Sequence, residues 1–111
     1  MVNRRLAGML GFAMKAGRLV LGTELVLSEI KRHGKILLTL VSDSASEATK
    51  KRILSKCEFY KVKAVQINVS PEKLGELLGK SFAPVCIGVK DEGFAKEIAE
   101  AAKSAKAAVA N

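Results

Sequence analysis

A chain of 111 residues has room for one ordinary domain and not for two, and with 49% hydrophobic residues it can bury a core without disulfide or metal staples. Nineteen Lys and Arg against eleven Asp and Glu give a formal charge of +8, an excess that suits a polyanionic partner because each phosphate neutralised releases condensed counterions. No apolar run is long enough to cross a bilayer and the opening MVNRRLAGMLGFAMKAG lacks a convincing cleavage site, so the chain reads as a soluble, cytoplasmic protein with no membrane partner.

Leu6, Met9, Leu10 and Ala13 recur at helical spacing and predict an amphipathic first helix, ended by Gly17. RLVLG is a short strand closed by Gly22. Thr23 to Arg32 reads as a second helix, with Val26, Leu27 and Ile30 inward and His33-Gly34 closing it. KILLTLVS is apolar on both faces, as a central strand covered on both sides must be. Ser44 and Glu47 form a capping box that opens a third helix through about Glu58. Ala48, Ile53, Leu54 and Cys57 are its expected inner face, and Lys50, Lys51, Arg52 and Lys56 its outer one. Phe59 and Tyr60 are expected to close that helix onto the core.

KAVQINV is the next strand, and Ser70-Pro71 starts a short helix, because Pro is favoured at the first helical position. PVCIGVK is the last strand. The closing helix carries Phe94, Ile98, Ala101, Ala105 and Val109 on one stripe and ends in an alanine-rich tail expected to fray. The alternation α-β-α-β-α-β-α-β-α with short connections predicts an α/β fold, a sheet of about four strands sandwiched between helices.

Catalytic readings are weak. Cys57 and Cys86 lie in apolar surroundings with no second Cys or His at metal-ligand spacing, so both are expected to be reduced and buried. The one histidine, His33, has no carboxylate or nucleophile near it in sequence. A strand-end turn and a helix cap account for Ser42-Asp43-Ser44. No catalytic residue, metal site or cofactor is expected.

The stretch GELLGKSFAP raises the question of a phosphate loop. A Walker A motif needs four residues between its first glycine and Gly-Lys, but Gly75 is one residue too close to Gly79-Lys80 and Leu74 holds the required place. The segment also runs from helix into strand, the reverse of a phosphate loop. Two readings remain for Lys80, Ser81, Phe82, Ala83 and Pro84. One is a plain helix cap at Gly79 followed by a turn, with Phe82 folded inward. The other is a surface loop that offers a cation and an apolar face to an unstacked base.

Gly22-Thr23-Glu24 stands where a strand meets a helix N-terminus. Backbone N–H groups and the helix dipole can hold a phosphate there, and Glu24 can accept hydrogen bonds from the amino edge of a guanine. The plainer alternative has Thr23 capping the helix and Glu24 satisfying its dipole.

KAGRLVLGTELVLSEIKRHGKILLTLVSDSAS, followed by SPEKLGELLGKSFAPVCIGVKDEGFA, resembles the ribosomal-protein superfamily of L-seven-Ae and L-thirty-e, which binds kink-turn RNA, and most closely its small bacterial YlxQ-like members. The resemblance covers about residues 6 to 100. It rests on Lys15-x-Gly17, on Gly22 opening the second helix, on the strand ending in Ser42-Asp43, and on Leu74-Gly75-x-x-x-Gly79. The family implies a three-layer α/β/α sandwich with a mixed sheet of about four strands and no catalytic activity. It also implies an RNA grip made by the N-terminus of the second helix and the loop before the last strand. Gly22, Thr23 and Glu24 then fall on the phosphate- and base-contacting turn, and Lys80 to Pro84 on the apolar loop, with Phe82 against an exposed base. Lys15 and Arg18 match a basic entrance beside them. Arg32 and Lys35 are candidates by proximity and charge only, with solvated surface as the alternative. Strong kink-turn binders begin this helix Gly-x-Asn-Glu and carry a Lys one turn later; here those positions are Glu24, Leu25 and Ser28.

These readings predict one non-catalytic RNA-binding domain spanning residues 1–111. Its partner is structured, kink-turn-like RNA in ribosomes or another ribonucleoprotein, with ribosomal proteins as candidate additional partners and a monomer as the default state. The alternative is a protein-interaction module of the translation machinery with only non-specific RNA affinity. Lys50-Lys51-Arg52 spans most of a helical turn and reads as a solvated face.

Overall fold

The computed structural model describes residues 4–32 and 35–110. The elements, in chain order, are α1 (Arg4–Lys15), β1 (Leu19–Leu21), α2 (Thr23–Lys31), β2 (Leu38–Ser42), α3 (Glu47–Phe59), β3 (Lys63–Ile67), α4 (Pro71–Leu77), β4 (Cys86–Val89) and α5 (Glu92–Ala110). The expected closure of α2 by His33-Gly34 lies outside the described residues, as do the Ala105 and Val109 side chains of the α5 stripe.

The four strands form one mixed sheet in the order β1-β4-β2-β3. β4 pairs antiparallel with both β1 and β2, while β2 and β3 run parallel across the α3 crossover. The registers Leu21↔Ile87, Val41↔Cys86 and Ser42↔Ile67 bring the carboxyl ends of β1, β2 and β3 to the same end of the sheet as the start of β4. β2, between β4 and β3, is buried at all five positions, as a strand covered on both faces must be.

Strand alternation divides the core in two. Leu38, Leu40, Ile87 and Val89 point to one face, where Leu6 and Leu10 of α1, Leu74 of α4 and Ile98 of α5 cover them. Val41 and Cys86 point to the other face, under Val26 and Ile30 of α2 and Ile53 and Cys57 of α3. The result is the expected three-layer sandwich. Gly88, on the second face, has no Cβ for a reason: one built there would stand 2.9 Å from Ile36 Cδ1 and 3.4 Å from Val26 Cγ2. That missing methyl lets α2 lie close to the sheet.

Local signals set most of the boundaries. Gly17 and Gly79 adopt φ values of 70° and 69° just after α1 and α4, the left-handed conformation that ends a helix at little cost only for glycine. Ser70 Oγ accepts from Lys73 N at 3.1 Å ahead of Pro71, and the Asp91 carboxylate accepts from Phe94 N at 2.9 Å at the start of α5.

The start of α3 differs from expectation. Ser46, not Ser44, is its N-cap, accepting from Thr49 N at 3.1 Å. Ser44 is engaged elsewhere: its amide donates to Ser42 Oγ at 3.1 Å, and that hydroxyl donates in turn to the Val69 carbonyl at 2.6 Å. Ser42 thereby ties the end of β2 to the segment after β3. Ala48 is exposed because α3 packs along the Ile53–Cys57 row, about a quarter-turn or more away. Phe59 is exposed too, at 76%, so only half-buried Tyr60 packs onto the core side.

Cys57 and Cys86 are free and buried, and burial pushes both thiols up, Cys86 to about 12. Thiols held protonated in this way are poor nucleophiles and poor metal ligands. Among the described residues no group of three His, Cys, Asp or Glu side chains gathers at metal-binding distance, and no helix is long and apolar enough to cross a membrane.

One buried hydroxyl is out of place. Thr39 Oγ1, on the α2–α3 face of β2, lies against the Cys57 thiol, a weak partner that does not meet hydrogen-bond geometry. A buried hydroxyl without a good partner costs about 1–3 kcal/mol of desolvation. Thr39→Val is therefore expected to raise the denaturant midpoint at unchanged m-value, by about 1 kcal/mol.

Candidate functional site

Three chain segments meet at the end of the sheet where β1 and β2 finish and β4 begins. The first is the turn into α2. Gly22 is its N-cap at φ 99°, ψ 146°, a backbone region hostile to any side chain, and its amide donates to the Cys86 carbonyl at 2.9 Å. This bond extends the β1–β4 ladder one step beyond Leu21 and fixes where α2 starts. No side chain caps the helix, so the first-turn N–H groups carry no side-chain acceptor. Thr23 is the first residue of α2 and not its cap, contrary to the plainer reading, while Glu24 does stand in the first turn where that reading put it.

The second segment is the loop between α4 and β4. Lys80 N donates to the Gly75 carbonyl at 2.8 Å, and Ser42 N donates to the Val85 carbonyl at 2.9 Å. A Cβ on Gly75 would collide with the Phe82 carbonyl oxygen, so this glycine exists to let the loop backbone lie on α4. Lys80, Ser81 and Ala83 are exposed, Phe82 is 51% exposed, and Pro84 is buried. The inward-folded Phe82 is thus excluded. Pro84 anchors the loop from inside and is not part of its outer face.

The third segment is the outer face of α3, where Lys51 and Arg52 are exposed as a solvated face must be, but Lys50 is mostly covered and Arg52 is paired. Arg52 reaches across to α2 and clasps Glu24 with two parallel bonds, Nη1 to Oε2 at 2.6 Å and Nη2 to Oε1 at 3.0 Å. Lys50 bends the other way, pairing with Glu47 at 2.9 Å and donating to the Asp43 carbonyl at 3.2 Å. Between α2 and α3 lies an open groove of about 510 Å³ lined by Glu24, Leu27, Ser28, Lys31, Arg32, Arg52 and Lys56. Four cations against one carboxylate make it strongly basic. Ser28, where the family pattern has a lysine, lies on its wall beside Arg52 and Lys56.

The remaining candidates are farther off. Lys15 and Arg18 flank the Gly17 turn at the other end of β1, where Lys90 N donates to the Arg18 carbonyl at 2.9 Å. Four residues of extended chain, roughly 13 Å, separate Arg18 from Gly22, so these two cations are not beside the α2 turn. Arg32 is the C-cap of α2 and pairs with Glu29 at 3.5 Å. Lys35 is exposed, beyond the far end of the same helix. Arg52 and Lys56 were missed by sequence reasoning. The signal available was their spacing with Phe59, at i, i+4 and i+7 on one helix face.

Two outcomes follow. Gly75→Ala is expected to destabilise by about 1–3 kcal/mol, as overpacking does, although Ala is the better helix former by about 1 kcal/mol; thermal melts measure the balance. The Arg52 guanidinium, through its hydrogen bonds first and its charge second, holds the Glu24 carboxyl below its usual range. With the folded-state value depressed, the pair favours the folded chain above the unfolded carboxyl's value of about 4.3. That contribution fades as pH falls through the lower folded value. A carboxylate NMR titration of Glu24 is expected to shift upward in Arg52→Ala.

The profile of the Ribosomal protein L7Ae/L30e/S12e/Gadd45 family matches residues 4–99. The chain is 35% identical over 99 residues to the RNA-binding protein YlxQ of Enterococcus faecium, covering 88% of this chain and 92% of that one. It is 38% identical over 90 residues to the RNA-binding protein YlxQ of Bacillus subtilis (strain 168), covering 81% and 87%. Among solved structures it is similar to a protein of unknown function from Bacillus halodurans C, with a TM-score of 0.81 and 32% identity over 91% of this chain and 98% of that one. It shares its fold with a 15.5kD RNA binding protein of Giardia lamblia, at a TM-score of 0.72 and 18% identity over 93% and 86% of the two chains. With a family match over nearly its whole length and relatives above 30% identity, the chain belongs to the L7Ae/L30e/S12e/Gadd45 family of ribosomal proteins.

Proposed function

We propose that this protein is a non-catalytic RNA-binding protein, one domain that grips a structured, kink-turn-like RNA in ribosomes or another ribonucleoprotein. The observation that carries the reading is the meeting of two unlike surfaces at one end of the sheet. The uncapped N-terminus of α2 offers backbone N–H groups and a positive dipole end to a phosphate. The loop of residues 80–83 offers Lys80 and a half-exposed Phe82 to a base that has left its stack. The names of the curated relatives, both RNA-binding proteins, point the same way.

In this reading phosphate contacts set register and Glu24 supplies base discrimination. Glu24 carries Arg52 on both oxygens, yet a carboxylate has about four lone-pair sites and can still accept from a guanine amino edge. The pair holds the carboxylate in position before RNA arrives. The basic surface adds affinity that does not depend on sequence.

The test is binding to a kink-turn RNA and a matched straight duplex across a salt series, for wild type, Glu24→Ala and Phe82→Ala. Wild type is expected to favour the kinked RNA, and both variants to lose most of that preference. Glu24→Ala also releases Arg52, so its affinity for straight duplex is expected to rise, with a salt slope steeper by up to about one. Equal, salt-sensitive binding of both RNAs by wild type overturns the kink-turn reading and leaves only a basic surface.

A further inference from the structure

The α2–α3 groove does not end at Lys56. Along α3 the outer row Arg52, Lys56, Phe59 continues past it, and Phe59 stands 76% exposed at the helix end. Tyr60 packs edge-on against its ring, with centroids 4.9 Å apart and planes at 77°, which steadies the ring and leaves it available to solvent. Arg52, Lys56, Phe59 and Tyr60 line a second shallow depression that adjoins the groove through the two shared cations. Lys31 and Lys56 make no ion pair among the described residues, and Arg52 has N–H donors left after clasping Glu24.

We infer that this track is a binding surface for single-stranded RNA that leads away from the structured element held at the α2 end. Arg52, Lys56 and Lys31 take successive phosphates and Phe59 stacks one unpaired base. The inference rests on the RNA-binding reading above and extends it to a second class of RNA structure. Cations spaced one helical turn apart, with a bare aromatic at the end of the row, form the combination that grips single strands without reading sequence. The seven steps from Arg52 to Phe59 rise about 10 Å along α3, and Arg52 and Lys56 stand one helical turn apart on that row. Arg52 belongs to both surfaces, since it clasps Glu24 at one end of the track, so a strand leaving the kinked element enters the track without a gap.

Four RNAs test this: kinked and straight stems, each with and without a tail of six unpaired nucleotides, titrated against wild type, Phe59→Ala, Phe59→Tyr and Lys56→Gln. The tail is expected to tighten wild-type binding on either stem. Phe59→Ala is expected to lose roughly 5- to 150-fold on tailed RNAs only, with Phe59→Tyr restoring it. Lys56→Gln is expected to lower the salt slope by about 0.7 on tailed RNAs alone. Both positions are at least partly exposed, and unchanged melting temperatures verify that the variants fold. If kinked RNA beats straight duplex but the tail adds nothing, this inference falls while the function proposed above stands. If kinked and straight stems bind alike yet the tail tightens both through Phe59, the kink-turn reading falls and the track stands. A Phe59→Ala loss equal on tailed and untailed RNAs overturns the track.

Discussion

Strand β4 pairs antiparallel on both sides, and the rung it adds to Gly22 decides where the molecule can present a ligand site. The Gly22 amide donates to the Cys86 carbonyl at 2.9 Å, one step past the last pair of β1, so α2 must begin at the level where the α4–β4 loop enters the sheet. Across β4, Ser42 N donates to the Val85 carbonyl and holds the end of β2 at the same level. Gly22 at φ 99° makes the sharp exit from β1 into α2, and Gly75 lets the loop lie flat on α4. Two glycines and two backbone hydrogen bonds thus hold a helix end and an apolar loop side by side.

Charge is gathered around that frame by two helices. Lys31 and Arg32 at the end of α2 and Arg52 and Lys56 on α3 line the groove that Ser28 also borders. Arg52 is fixed by two bonds to Glu24, so a carboxylate and a guanidinium that would each swing freely in isolation hold one another in place. As exposed groups their mutual attraction adds little to folding. Its consequence is orientation, which matters more to recognition than to stability.

Much of the fold was legible because its signals are local. Gly17, Gly79 and Ser70-Pro71 mark helix ends by backbone conformation alone, and the apolar run of β2 announces a strand buried on both faces. Two serines in register defeated the reading of α3. Ser44-x-x-Glu47 and Ser46-x-x-Thr49 both resemble caps, and the choice is made by Ser42 Oγ, which engages the Ser44 amide and reaches Val69 from another part of the chain. Glu24, Gly22 and Phe82 were legible through the family pattern. Arg52 was not, because its partner lies twenty-eight positions away and meets it only after α2 and α3 pack on the same face of the sheet. Phe59 misled for a related reason: an aromatic next to Tyr60 at a helix end promises core, but the direction of the Ile53–Cys57 row turns it outward.

Gly88 touches none of this, yet it sits beneath α2, where a methyl would press on Ile36 and Val26. Both neighbours are side chains, and a larger residue there would be accommodated by repacking Ile36 and lifting the helix a few tenths of an ångström. The sheet therefore works as a shim under the helix: its thickness at one buried position sets how far the α2 end stands out relative to the Phe82 loop. A side chain at this position would shift the α2 end relative to the Phe82 loop while every exposed residue of both stayed the same. The spacing of the two segments is thus set from the interior, by a position that neither of them exposes.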